Sequence, residues 1–157
     1  MKKLNDKIGR NCEQVAALPW RIDEDGKMRI LLVTSRTNAK WMLPKGWPME
    51  GRSDSEAALI EAREEAGVDG QASSVPIGSY HYLKLFCDGR TSPSRARIYP
   101  VRVMSVAKNW DEKGERLRRW MRPKKAAAMV FEPDLKRFFA ALRDETVFHF
   151  DDLAPAA

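Results

Sequence analysis

Ser53-Asp54-Ser55-Glu56 at one end and Gly67 at the other bracket the segment whose conformation is most plainly set by its own residues. A serine followed three positions later by a glutamate forms a capping box: the hydroxyl accepts from the third helical amide and the carboxylate reaches back to the serine amide. Ala57, Ala58, Leu59, Ile60 and Ala62 are good helix residues, and Gly67 suits the left-handed position that ends a helix. The spacing predicts a helix over 53–67. On it Glu61 and Glu65, four apart, share a face, and Glu64 flanks the same stripe. Like charges at that spacing cost about 0.2–0.5 kcal/mol per exposed pair. Acidic residues in a last turn also oppose the helix dipole. A local rule broken without structural reward marks a candidate functional site. A hard divalent ion, Mg²⁺ or Mn²⁺, reconciles crowded carboxylates because it takes oxygen ligands.

The segments around this helix read as strands. Residues 14–22 (QVAALPWRI) and 28–34 (MRILLVT) are apolar β-rich runs joined across Asp25-Gly26, a hairpin signal. Pro19 marks the first as an edge strand or a bulge. Residues 41–48 form a short extended piece entering a Gly/Pro loop. Residues 75–86 and 97–106 are further strands, with 87–94 as their connection. A short helix is expected from Pro123 to Met129. A firmer one follows from Pro133 to Arg143, where Leu135, Phe138, Phe139 and Leu142 recur at helical spacing as a core stripe. Strands and helices without regular βαβ alternation indicate an α+β domain with a mixed sheet between helices. At 157 residues one domain is expected, over 10–145, with flexible termini at 1–9 and 146–157.

Charge is segregated. The chain carries a net +6, but 90–125 holds twelve basic residues against three acidic ones, whereas 53–65 is net −4. Such a field favours an anionic partner. No run reaches the roughly 20 apolar residues of a membrane span, and the first residues lead into no signal-peptide core, so a cytoplasmic protein without a membrane partner is expected. Cys12 and Cys87 are too few for a disulfide framework and lack metal-ligand spacing. His81 and His149 are isolated and read as structural. Trp47, Trp110 and Trp120 read as packing residues.

From Gly46 to Val68 the sequence GWPMEGRSDSEAALIEAREEAGV resembles the Nudix box of the Nudix hydrolases. Gly46, Glu61, Ala62, Glu64, Glu65, Gly67 and Val68 match in register. Arg52 stands where the pattern has glutamate, and Ile60 where it has the arginine that orients the glutamates. The likeness extends over about 15–142 and is nearest the diphosphoinositol polyphosphate phosphohydrolase branch. The cues there are Leu31-Leu32-Val33-Thr34-Ser35-Arg36 before Trp41-Met42-Leu43-Pro44, and Trp110 followed by Gly114-Glu115-Arg116-Leu117-Arg118-Arg119-Trp120. The resemblance implies a Nudix fold, an α/β/α sandwich. It implies Glu61, Glu65 and the Lys45 carbonyl as ligands of Mg²⁺ or Mn²⁺, with Glu64 as general base or further ligand; Glu61 and Glu64 are the candidate catalytic residues.

Cleavage of a phosphoanhydride needs a metal to polarise oxygen and cations to neutralise phosphate. Arginine suits the second task because its planar fork holds two phosphate oxygens. Arg36, Arg95, Arg97, Arg116 and Arg118 are the substrate-binding candidates, and the resemblance to the diphosphoinositol branch implies Arg97 and Arg116 foremost. The expected activity is metal-dependent pyrophosphohydrolysis of a highly phosphorylated small molecule, a diphosphoinositol polyphosphate or a dinucleoside polyphosphate. The alternatives are a hydrolase of RNA 5′ ends and a non-catalytic nucleotide- or RNA-binding module.

Overall fold

The structure, a computed structural model, describes residues 12–86 and 88–144. The expectations for the termini, Cys87 and His149 lie outside the described residues. Strand β1 (Cys12–Ile22) turns through the expected Asp25-Gly26 hairpin into β2 (Met28–Thr34), with Gly26 at φ 76°. Two-residue strands β3 (Trp41–Met42) and β4 (Lys45–Gly46) lead to helix α1 (Asp54–Glu61). The capping box is formed: Glu56 N–H donates to Ser53 Oγ (3.2 Å), and Ser53 N–H to Glu56 Oε2 (3.3 Å). Strands β5 (Val68–Ala72), β6 (Gly78–Leu85), β7 (Thr91–Val106) and β8 (Arg118–Met121) follow. Helices α2 (Pro123–Met129) and α3 (Pro133–Ala141) close the described chain, each with proline at its start.

The sheet is mixed, as expected. β1 and β7 run parallel from Cys12↔Ser94 to Trp20↔Arg102, and the other pairings are antiparallel. Strict alternation splits the core into two layers. Val15, Ala17, Leu31, Val33 and Val101 face α1, while Ala16, Leu18, Ile30, Leu32 and Ile98 face α2 and α3. Ala57, Ala58, Ala62 and Ala66 are fully buried, so the glutamate helix lies close on the sheet. Leu135 and Phe139 of the expected stripe are fully buried on the opposite side, and Phe138 and Leu142 pack against them.

Pro19 does not mark an edge: β1 is internal, flanked by β7 on one side and by β2 and β4 on the other. On that second side β1 pairs with β4 at Val15–Ala16 and with β2 at Trp20–Ile22. Ala17 N–H points there, to Pro44 O (2.9 Å). By the two-residue period the Pro19 nitrogen points the same way, into the gap between partners, where no ladder bond is lost. β5 and β8 were not anticipated, because Gly70 interrupts one and three consecutive charged or polar-tipped residues fill most of the other. β7 begins at Thr91, inside the segment read as a loop. Its Pro93 obscured the strand, but Tyr82↔Ser94 and Leu83↔Pro93 continue the ladder.

Candidate active site

The helical segment does not continue as α-helix to Gly67. After Glu61 it widens into one π-helical turn, Ala62–Ala66, closed by Gly67 in the left-handed region at φ 65°. The Gly67 amide donates back to the carbonyls of Ala62 and Arg63. Such a turn advances each residue by a smaller angle than an α-turn. Four residues after Glu61, Glu65 still lies near it. Glu64, three after, swings off the stripe.

Glu61 and Glu65 are therefore brought together, and Glu64 is exposed, lining a recess with Trp110, Asn109 and Asp111. Among the described residues no three His, Cys, Asp or Glu side chains are gathered as ready metal ligands. Of the three expected carboxylates, Glu65 is buried, Glu61 half-buried and Glu64 exposed.

β4 supplies the other wall. Lys45 N–H donates to Glu65 Oε2 (3.1 Å), and a β-carbon on Gly46 would come within 2.2 Å of Glu61 Oε1. Only glycine lets this loop lie against that carboxylate. Burial, then the like charges of Glu65 and Glu64, hold the Glu61 carboxyl up at about 8. Burial also raises Glu65, against the opposing pull of Arg116 and Lys45. Glu61 has no cationic partner within 4 Å among the described residues. Two adjacent carboxylates beside a glycine-cleared peptide offer an all-oxygen donor set that fits a hard divalent ion.

The five candidate arginines take different stations. Arg116 is buried: Nη1 donates to Thr34 O (2.9 Å), Nη2 to Glu65 Oε1 (3.3 Å), and Nε to Glu112 Oε1 (3.2 Å). In this structure Arg116 is thus engaged by protein acceptors on three segments. Arg118 is half-buried. It donates to the carbonyls of Ala66 (2.8 Å), Gly67 (3.4 Å) and Ala107 (2.6 Å), with its guanidinium 3.8 Å over the Trp110 ring. Arg95 pairs with Glu13 at 3.1 Å. Arg97 is exposed and stands across Val15 from Gly46, in one row on the α1 face. Arg36 is 60% exposed, at 3.7 Å from Glu112 and 3.8 Å from Glu115.

Two groups were missed, Glu112 and Lys84, and from sequence the Lys45 side chain ranks as a phosphate contact below its carbonyl. Glu112 is a fourth carboxylate at the site, bonded to Arg116 and adding its charge to both Glu61 and Glu65. The Lys45 side chain turns to the α2–α3 face, with Nζ 3.6 Å from Met42 Sδ and 4.8 Å from the Tyr82 ring centre, and burial lowers its pKa. Lys84 lies 5.9 Å from the Trp47 ring centre and is lowered by burial as well. Among the described residues neither ammonium has a carboxylate within 4 Å. Chain distance hid Glu112, and alternation along β6 was the one available signal for Lys84.

His81 is exposed and bonds Asp134 Oδ2 (3.0 Å), in keeping with a structural residue. Trp110 donates its indole N–H to Glu65 O (3.1 Å).

A mixed sheet between helices, with a glutamate helix packed on a Pro-Lys-Gly loop, defines a Nudix-type domain. The sequence pattern of the NUDIX domain matches residues 13–142, and the chain belongs to the Nudix family. It is 27% identical over 131 residues to "Nudix hydrolase 12, mitochondrial" of Arabidopsis thaliana, covering 79% of this chain and 64% of that protein. It is 32% identical over 111 residues to "Nudix hydrolase 21, chloroplastic" of the same plant, covering 68% and 54%. The matched region thus spans less than two thirds of these relatives. Among solved structures, a Nudix hydrolase from Nitrosomonas europaea superposes with TM-score 0.62 at 21% identity, over 89% of this chain and 98% of that one. A C. elegans Ap4A hydrolase gives 0.60 at 17% identity, over 82% and 93%. No described helix is long and apolar enough to cross a membrane.

Proposed function

We propose that this chain hydrolyses a phosphoanhydride bond in a highly phosphorylated small molecule, either a diphosphoinositol polyphosphate or a dinucleoside polyphosphate. The observation that carries the reading is the Glu61–Glu65 pair beside the Lys45-Gly46 strand. Glu61 is half-buried against Gly46 with no cation within 4 Å among the described residues, and Glu65 is buried and bonded to Lys45 N–H and Arg116. Glu61, Glu65 and the Lys45 carbonyl would hold Mg²⁺ or Mn²⁺. Glu64, whose carboxylate is exposed and unpaired among the described residues, would complete the set or act as base from the solvent side. The ion supplies Lewis acidity at phosphate and an acidified water.

The chain's own cations serve the substrate. Arg36 and Arg97 are exposed for phosphate, and Lys45 and Lys84 are amines without carboxylate partners. On the α2–α3 face Gln14 Nε2 and the Tyr80 hydroxyl are buried without a hydrogen-bond partner among the described residues, which supports a polar ligand on that side. The structural likeness to an Ap4A hydrolase and the resemblance to the diphosphoinositol branch both agree with a polyphosphate substrate.

The test is hydrolysis of diadenosine polyphosphates, nucleoside diphosphate sugars and diphosphoinositols with Mg²⁺ or Mn²⁺, comparing the parent with Glu61→Gln and Glu65→Gln. The expected result is turnover of a polyphosphate class, reduced at least a hundredfold in both variants. Turnover unchanged by either substitution would remove the pair from the reaction.

A further inference from the structure

A guanidinium normally reaches solvent, yet the Arg116 side chain, in the loop that precedes β8, is only 6% exposed. The loop is clamped to β2: Thr34 N–H donates to Leu117 O (3.0 Å), and Leu117 N–H to Thr34 Oγ1 (2.9 Å). From this anchor the Arg116 fork spreads to three acceptors on three segments, the Thr34 carbonyl, the Glu112 carboxylate and Glu65 Oε1. The other Glu65 oxygen is held by Lys45 N–H. Both oxygens of one carboxylate are thereby fixed by rigid donors, and each keeps a lone pair for a further partner.

We propose that Arg116 is a positioning residue, whose guanidinium fixes the Glu65 carboxylate in the orientation that receives the divalent ion. This rests on the reading of Glu61 and Glu65 as ion ligands. Helix position 60 holds isoleucine, so the guanidinium beside these glutamates comes from a residue 51 positions after Glu65. A partner that orients a ligand in this way typically changes metal affinity by about 10–100-fold when removed. Lysine keeps the charge but not the three-way planar fork.

The experiment measures Mn²⁺ binding by electron paramagnetic resonance, without substrate, alongside thermal unfolding. The proteins are the parent, Arg116→Met, Arg116→Lys, Glu65→Gln and Phe139→Leu, the last destabilising the core on the far side of the sheet. Arg116→Met and Arg116→Lys are expected to bind Mn²⁺ at least tenfold more weakly. Phe139→Leu is expected to lower Tm yet bind within twofold of the parent. Parent-like affinity in folded Arg116→Met overturns the proposal, as does an equal weakening in Phe139→Leu. Should Arg116→Met fail to fold, Arg116→Lys decides alone by the same criterion. Failure of the underlying reading shows differently: Glu65→Gln would bind Mn²⁺ as the parent does, or the parent would bind none.

Discussion

Gly46 lies against the Glu61 carboxylate so closely that a methyl group in place of its hydrogen would sit 2.2 Å from Glu61 Oε1. Its backbone is not in the left-handed region, so alanine is conformationally acceptable. The clash falls on the end of a flexible side chain, which can rotate away. Gly46→Ala is expected to keep Tm within a few degrees while displacing Glu61 by about 1 Å, enough to cost about a hundredfold in turnover. Calorimetry and steady-state kinetics on the same preparation check both halves.

Arg118 acts as a cap. Gly67 leaves room for the Arg118 guanidinium and the Trp110 indole, each of which would lie 2.7 Å from a β-carbon there. Two carbonyls at the end of the glutamate helix, Ala66 and Gly67, and that of Ala107 just after β7 accept from one side chain. Arg118→Ala is expected to cost about 2–3 kcal/mol, from lost hydrogen bonds at about 1 kcal/mol each and the ring contact. That is a fall in Tm of about 5–10 °C. Amide exchange at 62–67 should accelerate. KM for a polyphosphate should stay within about threefold, whereas a phosphate-binding role would raise it tenfold or more.

The Glu61 carboxyl, raised from 4.5 to about 8, makes the metal-free protein sensitive to alkali. Between those values the folded chain holds a proton that the unfolded chain has released. The associated stability is full below about pH 4.5 and is lost as pH rises through about 8. Glu65 is shifted in the same direction. Asp144, held down at about 2 by Arg122, has the opposite sign and acts only in strong acid. Thermal unfolding in chelator should therefore give a Tm that declines from pH 5 to pH 8, with a flatter profile in Glu61→Gln. Added Mn²⁺ should restore the parent at pH 8 and not the variant.

Local signals carried the elements whose residues are contiguous: the capping box, the Asp25-Gly26 hairpin and the α3 stripe all stand in the structure. What depended on distant partners was illegible. Pro19 is harmless because β1 changes neighbour beside it, which no local pattern encodes. The π-turn at 62–66 is not written in the local pattern either; Ala62 and Ala66 are buried there, and Trp110, 45 residues on, donates to the Glu65 carbonyl. Arg116 and Arg118 are expected at phosphate because a guanidinium fork suits it, with Arg116 favoured by the family likeness. The sequence did not disclose that Arg116 would also bond Thr34 O and the Glu112 and Glu65 carboxylates, and Arg118 the carbonyls of Ala66, Gly67 and Ala107.

Lys84 offers the sharpest separation of stability from affinity. Its ammonium is half-buried beside Trp47, held below the usual lysine range by that burial, and has no carboxylate within 4 Å among the described residues. An unpaired charge in such a place opposes folding. Lys84→Met keeps the aliphatic stem and removes the charge, so Tm is expected to hold or rise. If the charge serves a polyphosphate, its loss should raise KM by about tenfold, about 1.4 kcal/mol of binding. An unchanged kcat would show that the interaction is equal in ground and transition states. The salt dependence of kcat/KM should also become shallower, since one fewer cation faces the substrate. A lower Tm with an unaltered KM would instead make Lys84 a packing residue and move the anion site to Arg36 and Arg97.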